Sequence, residues 1–487
     1  MNKTALSLLP LVFALSACTL GPDFEPPEAP GVSSYSAPND AALPSDQQLK
    51  FGKQVEGDWW AQFRSAKLNA LISRAIENNQ SIAAAKARVA QAEEGVNAAG
   101  GALLPQVSLD AVAGRQKYGK SLFGPLDISV PPFTYYTVGP AVSFPLDLFG
   151  GKRRTLEEKK AYKEYQGYQL EAAYLSLSAN VTMEALTIAA ARDQIAVLRE
   201  IIANDKRNVD LVRTALNVGS ATRTQLLSVQ SQMATDRTEL PELRQQESTA
   251  RHALAVLVGE LPANWTPSSL GLADFSLPGE IPAAMPSQLV HRRPDIEAAE
   301  AQLHVASAEI GVTTANLYPQ IDLTGTLTQQ ALTPASLFYG VSNAWAIAAN
   351  LTQPLFDGGQ LSAEKRAAVD GYQVSLADYK QTVLNAFGDV ADRLQALAND
   401  ADRLVAQKAA TETASKSLNL ARRSFKVGNS GILEVIDAER QLAKARLGLS
   451  RAQAARLMDT ASLYLALGGT PVGHSPTVTA DARISSQ

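Results

Sequence analysis

The sequence predicts a mixed α and β fold in which a helix–hairpin–helix unit occurs twice. Three observations predict it: long alanine-rich helical tracts, two pairs of short segments with alternating apolar and polar residues, and landmarks that recur in the same order in both halves. A helical period and a strand period in separate tracts indicate long helices joined to β-hairpins. Landmarks repeated at a fixed distance indicate an internal duplication.

Composition excludes several classes of protein. The 487 residues carry a formal net charge of −4 and no basic block, which argues against a nucleic-acid partner. After residue 17 no apolar run reaches the length of a transmembrane helix. No metal-ligand spacing, phosphate loop or nucleophile elbow is present. The sequence therefore predicts no catalytic residues, no metal ligands, no cofactor and no enzyme activity.

The first 17 residues are predicted to be a lipoprotein signal peptide. Lys3 precedes an apolar core, and Leu15-Ser16-Ala17 then leads to Cys18, the only cysteine. This stretch resembles a bacterial lipobox, in which the cysteine becomes lipidated, for example with palmitate. Thr19, rather than an aspartate, follows Cys18, and by the same resemblance this favours the outer membrane. An ordinary signal peptide with a chance cysteine remains an alternative.

A tether and the first repeat follow. Residues 18–57 are rich in proline and small residues, which predicts an extended tether. Residues 58–260 are predicted to form the first repeat, with a β-hairpin over about 106–144, a long helix to a tip turn near Gly219, and a return helix that Pro241 kinks. Strands of about ten residues match the length of a tilted membrane strand. An ordinary half-buried sheet is the alternative.

The second repeat is predicted over residues 291–467, after a Pro- and Gly-rich linker at 261–290 and before a C-terminal tail at 468–487. Its hairpin covers about 320–353, and its tip turn lies near Gly428. Pro319 follows Pro105 by 214 residues (319 − 105), and Gly428 follows Gly219 by 209 (428 − 219). These similar offsets predict the same order of elements in both halves.

Four membrane strands cannot close a barrel. An open strand edge in lipid leaves backbone groups unpaired at a cost of several kcal/mol each, and the smallest membrane barrels have eight strands. The chains must therefore associate if these strands span a membrane. Two copies would supply eight strands and three would supply twelve, and the residues alone leave both open.

The stretch from Phe425 to Arg440 predicts a helix end, a turn and a new helix. Gly428 can adopt the left-handed conformation that ends a helix, and Asn429 or Ser430 is expected to cap the next one. Glu434 and Asp437 are three residues apart and so share a face. They are interpreted as part of a channel gate. The alternative is that they only stabilise the helix N-terminus, by about 0.3–1 kcal/mol.

The order of these features resembles the TolC-like outer membrane factors, most closely the NodT/OprM-type efflux lipoproteins. The motifs that carry the resemblance are the lipobox, Asp58-Trp59-Trp60 with Phe63, the duplicated unit, and Arg292-Arg293-Pro294-Asp295. The last motif is itself interpreted as structural. The resemblance implies a homotrimer whose twelve-stranded outer-membrane β-barrel continues into a long periplasmic α-helical barrel.

The resemblance also implies a function and its partners. The chain would be the passive outer-membrane exit duct of a tripartite efflux pump for drugs or other small toxic compounds. Its partners would be outer membrane lipid, a periplasmic adaptor, and an inner-membrane transporter of the RND or major facilitator type. A type I protein-secretion duct and a structural coiled-coil lipoprotein without a pore are the alternatives.

Two sets of site residues follow from the resemblance. The gate would comprise Glu434, Asp437 and Arg440. The tip that docks the adaptor would comprise Val218, Gly219, Ser220, Val427, Gly428 and Asn429. Asn429 departs from the threonine that is usual at its position.

Overall fold

A computed structural model describes residues 19–32, 34–35, 47–52, 55, 57–119, 130–283 and 285–468. The predicted signal peptide, Cys18 and the predicted tail beyond residue 468 lie outside these ranges.

Eight α-helices and six β-strands account for most of the described chain. The helices are α1 (Ala66–Asn78), α2 (Gln80–Gly101), α3 (Gly151–Asn217), α4 (Arg223–Leu257), α5 (Pro286–Leu289), α6 (Pro294–Ala315), α7 (Gln360–Lys426) and α8 (Ile432–Leu467). The strands are β1 (Gln48–Phe51), β2 (Gln106–Gln116), β3 (Phe133–Leu146), β4 (Glu280–Ala283), β5 (Gln320–Ala331) and β6 (Asn343–Thr352).

The two halves repeat the same elements at nearly the same lengths. Helices α3 and α7 both contain 67 residues, and the return helices α4 and α8 contain 35 and 36. A two-stranded β-hairpin precedes each long helix. The predicted duplication of a helix–hairpin–helix unit is therefore confirmed.

The chain divides into two compact units. Of the described residues, those within 1–26, 89–165 and 299–379 form the first unit, and those within 27–88, 166–298 and 380–487 form the second. Strands β2, β3, β5 and β6 belong to the first unit, and the turns at the ends of the helical hairpins belong to the second.

Four antiparallel strands form one sheet in the order β2-β3-β5-β6. Along most of one face, their register places apolar residues opposite apolar residues of the neighbouring strand. Val107 faces Val142, Phe144 faces Leu323, and Leu327 faces Trp345. Directly opposed residues share a face, so the alternation along each strand becomes one continuous apolar face. The other face carries polar residues such as Asp322 and Thr324.

This apolar face is uncovered in the single chain. The side chains of Leu109, Trp345 and Ile347 are 74%, 73% and 82% exposed. A half-buried sheet of a water-soluble protein would cover them, whereas strands of 10–14 residues with one apolar face suit contact with lipid. Within the described ranges, none of the helices combines the length and the hydropathy that a membrane-spanning helix requires.

Pro241 lies inside α4, as expected, and the kink predicted there stays a prediction. Two other local features differ in detail from the sequence expectation. The first helical tract is broken at Asn79, whose extended backbone separates α1 from α2. Within the predicted tether, β1 pairs in parallel with β4 of the predicted linker.

The tryptophan motif at the start of the first repeat is a packing element. Trp59 and Phe63 are fully buried in the second unit. The Trp59 ring stacks on Tyr464 of α8 with centroids 5.5 Å apart, and its indole nitrogen donates to Ser178 Oγ at 3.3 Å. Burying an indole against a second ring while its N–H is bonded stabilises this part of the fold.

The arginine motif at Arg292–Asp295 has the predicted structural role. Pro294 opens α6, and Arg293 donates to both carboxylate oxygens of Asp295 at 3.0 and 2.8 Å. Arg293 also donates to the carbonyl of Ala466 at 3.0 Å, in the last turn of α8. The motif thus ties the start of α6 to the end of α8.

The pairing of β3 with β5 depends on Gly139. A Cβ atom at this position would lie 2.1 Å from the Leu327 carbonyl oxygen and 2.6 Å from Thr328 Cα. We therefore expect Gly139→Ala to force the strands apart and to destabilise the fold by about 1–3 kcal/mol. Thermal unfolding followed by circular dichroism should show a lower midpoint.

Gly325→Ala in β5 is the matched control, because a Cβ atom there would meet nothing within 4 Å. Equal midpoints for the Gly139 variant and the wild type, or equal losses in both variants, would contradict this dependence.

Candidate functional site

The ends of the two helical hairpins, α3–α4 and α7–α8, are built from the same turn. Gly219 and Gly428 have φ angles of +74° and +81°, a region that favours glycine. Ser220 N–H donates to the Ala215 carbonyl at 2.8 Å, and Asn429 N–H donates to the Ser424 carbonyl at 2.9 Å. These six-to-one bonds define a Schellman motif, which ends each long helix and reverses the chain. The predicted helix-ending role of Gly428 is confirmed.

The two return helices begin differently. Thr222 caps α4 with a complete capping box, in which its hydroxyl accepts from Gln225 N–H and its own N–H donates to the Gln225 side chain. The predicted capping of α8 by Asn429 or Ser430 is wrong. The N-cap is Gly431, which has no side chain with which to accept a hydrogen bond. Helix α8 thus lacks the side-chain cap that fixes the start of α4.

The predicted tip residues all lie at these turns. Val218 and Val427 are 74% and 70% exposed, although both are apolar. A Cβ atom added at Gly219 or Gly428 would meet nothing within 4 Å. The tip therefore exposes two valine side chains, one on each turn, and each valine is followed by a glycine with free space around it.

The predicted gate residues lie in the first three turns of α8 and are exposed. Glu434 and Asp437 border a groove of about 560 Å³ between α7 and α8. Arg440 donates to Asp437 at 2.5 Å, which partly offsets the charge of that carboxylate. Glu434 lies in the first turn, where the helix dipole also favours a negative charge.

A further acid, Glu439, was not singled out from the sequence. It accepts from Asn208 of α3 at 2.8 Å and from Arg422 of α7 at 2.6 Å. Its side chain is only 16% exposed, so both bonds form in a partly desolvated setting that strengthens them. Glu439 thus joins the second hairpin to the first, a role that only its partners on other helices reveal.

A pair of carboxyl groups lies inside the first hairpin. The carboxyl groups of Asp205 of α3 and Asp236 of α4 lie close enough to share a hydrogen bond when one of them is protonated. Burial, followed by the bond and the negative charge of Asp236, raises the pKa of Asp205 to about 7. Glu439 raises it further, and Arg237 opposes the shift. Gln232 donates to both oxygens of Asp236 at 3.0 and 2.9 Å.

The second hairpin contains a similar pair. Burial, and then the hydrogen bond and charge of Asp400, raises the pKa of Asp459 to about 6, while Arg393 and Arg403 lower it. Each pair spans both helices of its own hairpin. Both hairpins therefore hold acids that take up protons within a physiological range of pH.

The first pair borders a cavity of about 770 Å³ between α3, α4, α7 and α8. Its lining mixes apolar residues with charged ones, which include Asp205, Asp236, Glu439, Lys444 and Arg451. Among the described residues, no group of three metal-ligating side chains is placed to hold an ion. What the arrangement offers chemically is proton uptake and charge pairing between helices.

Known proteins resemble this chain over nearly its whole length. The family described as "Outer membrane efflux protein" matches residues 71–260 and 285–469, one match for each repeat. The pyoverdine export outer membrane protein OpmQ of Pseudomonas aeruginosa is 31% identical over 482 residues, covering 96% of this chain and 97% of that protein.

A lipoprotein and a solved channel structure are also similar. The probable outer membrane lipoprotein SilC of Salmonella typhimurium is 26% identical over 472 residues, covering 96% of this chain and 99% of its own. The outer-membrane channel OprN superposes with a TM-score of 0.84 at 26% identity, over 94% of this chain and 100% of that one.

The raised pKa of Asp205 predicts that the stability of the α3–α4 hairpin depends on pH. An acid whose pKa is higher in the folded state stabilises that state fully below its unfolded pKa, and this contribution is lost as pH rises through the folded pKa. Protection of the α3–α4 hairpin from hydrogen exchange should therefore fall severalfold between about pH 4 and about pH 7, and then level off. Hydrogen exchange with mass spectrometry, corrected for the intrinsic rate, measures this protection.

Asp205→Asn should remove most of this fall, because an amide stays neutral throughout. Asp210→Asn, an exposed acid one turn farther along α3, is the control and should keep the wild-type profile. An unchanged pH profile in the Asp205 variant would contradict the assignment.

Proposed function

Because the chain belongs to the outer membrane efflux protein family, we propose that it is the outer-membrane exit duct of a tripartite efflux pump. The observation that carries this function is the four-stranded sheet with one uncovered apolar face, which is joined to 67-residue helices. Such a protein spans the outer membrane with its strands and extends into the periplasm with its helices. It conducts small compounds passively and is not an enzyme. The energy for export comes from the inner-membrane transporter.

Three copies of the chain form the working duct. In the described chain, β2 and β6 are the outer strands of the sheet and each pairs on one side only. Unpaired N–H and C=O groups at these edges would cost several kcal/mol each in lipid, which favours pairing between copies. Twelve strands from three chains, as in the family that the sequence resembles, satisfy this demand and support a homotrimer.

Glu434 and Asp437 form the gate of the duct. Both are exposed near the tip, and α8 begins without a side-chain cap, which favours movement of its first turns. Three copies would bring six carboxylates together around the axis. Their combined negative charge would favour cations over anions in the pore. Arg440 partly neutralises the negative charge of Asp437 by donating a hydrogen bond to its carboxylate.

The tip docks the periplasmic adaptor. Exposed Val218 and Val427, beside the open turns at Gly219 and Gly428, offer apolar contacts on each hairpin. Ser220 and Asn429 complete the two turns and add polar groups. The adaptor in turn connects the duct to a transporter of the RND or major facilitator type.

Cys18 carries the lipid that anchors the chain to the outer membrane. The lipobox-like sequence before it, and the similarity to a protein named as an outer membrane lipoprotein, support this assignment. Lipidation and the membrane strands would then hold the same chain in the same membrane.

Single-channel conductance in a planar bilayer tests the duct and its gate together. We expect the wild type to show low, cation-favouring conductance. The double variant Glu434→Gln/Asp437→Asn should conduct at least twofold more and select cations less, because it removes the carboxylates that attract cations and retain them at the constriction.

Asp402→Asn/Glu412→Gln is the control. It removes the same charge from exposed positions on α7 that lie farther from the tip. Equal conductance in the gate variant and the wild type would move the gate elsewhere. An absence of conductance from verified trimers would contradict a channel.

A further inference from the structure

The first residues after Cys18 are bound by specific hydrogen bonds and packing contacts. The sequence predicts an extended tether here, yet residues 19–24 contact both repeats within the first unit. Leu20 N–H donates to the Phe149 carbonyl at 3.2 Å, next to the start of α3. This short stretch, residues 19–24, is called the anchor segment below.

Arg154 is the centre of the site. Its guanidinium donates to the carbonyl oxygens of Leu20 at 3.1 Å and Gly21 at 3.3 Å, and to the Asp23 carboxylate at 2.8 Å. The side chain is only 4% exposed, although it is charged. A buried arginine needs its donors satisfied, and the anchor segment supplies most of the acceptors.

A second residue pair extends the site to the other repeat. Glu157 accepts from Arg154 at 2.7 Å and contacts His304 Nε2 of α6 at 3.0 Å. The His304 ring stacks on Phe24 with centroids 4.4 Å apart and an interplanar angle of 9°. The chain from Arg154 to Phe24 thus links α3, α6 and the anchor segment.

Close backbone approaches require glycine at three positions. A Cβ atom on Gly21, whose φ is +97°, would lie 2.5 Å from Gly311 Cα. One on Gly311 would lie 2.7 Å from Arg154 Cγ, and one on Gly150 would lie 2.7 Å from Thr19. The anchor segment therefore fits a cavity shaped for it, at the junctions where β3 meets α3 and α6 leads to β5.

We propose that this site is a mount that fixes the lipid-bearing end of the chain beside the ends of β3 and β5, so that lipid insertion brings the strands to the membrane during assembly. The partner of this site is the lipid bilayer, which the acyl chains on Cys18 would enter. The proposal rests on the proposed lipidation of Cys18, which directly precedes Thr19.

The mount restricts how far the lipid attachment point can move relative to the strands. Six free residues would let the attachment point wander by up to about 20 Å, at roughly 3.4 Å per residue. Held by the mount, the lipid is one residue from a fixed backbone position. Lipid insertion and strand insertion then become coupled steps rather than independent ones.

The test uses the full-length protein and changes the contact between the anchor segment and Arg154 from either side. Gly21→Ala places a methyl group against Gly311 and strains the left-handed backbone, whereas Gly31→Ala, the control, meets nothing within 4 Å. Arg154→Lys approaches the same contact from the other side, since lysine cannot reproduce the forked donors. Each variant is made with Cys18 and with Cys18→Ser behind a signal peptide that does not direct lipidation.

Three readouts are taken. Chymotrypsin cleavage after Phe24 reports release of the anchor segment, pulse–chase conversion to heat-modifiable trimer reports assembly, and the mass of the N-terminal peptide reports lipidation. We expect Gly21→Ala and Arg154→Lys to raise cleavage at least tenfold. Both should slow assembly severalfold in the lipidated protein and leave its rate unchanged in the unlipidated one.

The proposal would be overturned if cleavage were unchanged in the two variants. It would also be overturned if they slowed assembly equally with and without the lipid. A wild-type N-terminal peptide without lipid would instead overturn the proposed lipidation and, with it, the purpose of the mount. The mass measurement therefore separates the two failures.

Discussion

The structure depends on one constraint, which is that backbone groups of a strand in lipid must be paired. Strands β2 and β6 are the outer strands of a sheet whose apolar face is uncovered. A membrane satisfies the apolar face, and only further strands satisfy the edges. This demand explains why a chain with so many buried small residues still leaves large apolar side chains exposed. In the proposed homotrimer, neighbouring copies of the chain would supply the strands that pair with β2 and β6.

Much of this architecture could be predicted from the sequence because it is local. Glycines at 219 and 428 end the long helices, and the alternation around Leu323 and Ile347 marks strands with two different faces. Both signals depend on residues within a few positions of each other. The cap of α8 was mispredicted because Asn429 and Ser430 are good caps in general, yet the Schellman turn uses Asn429 and leaves Gly431 at the helix start.

The acid pairs depend on register between helices, which composition does not reveal. Asp205 lies 15 residues before Ser220 and Asp236 lies 16 after it, and Asp400 and Asp459 lie 29 before and 30 after Asn429. In an antiparallel hairpin, residues equidistant from the turn lie side by side, so both pairs follow once the turns are located. Glu439 offers no such signal, since its partners Asn208 and Arg422 come from two other helices. The mount around Arg154 is likewise hidden, because it joins segments more than 130 residues apart.

The number of copies in the assembled protein tests the central claim most directly. Native mass spectrometry of the full-length protein, released from detergent micelles, counts the chains without assuming conductance or a partner. The strand edges and the family together predict a complex of three chains, with no stable monomer in lipid-like surroundings. A monomer or dimer as the stable species would contradict the account, because four or eight strands would then have to satisfy the edges of β2 and β6 in another way.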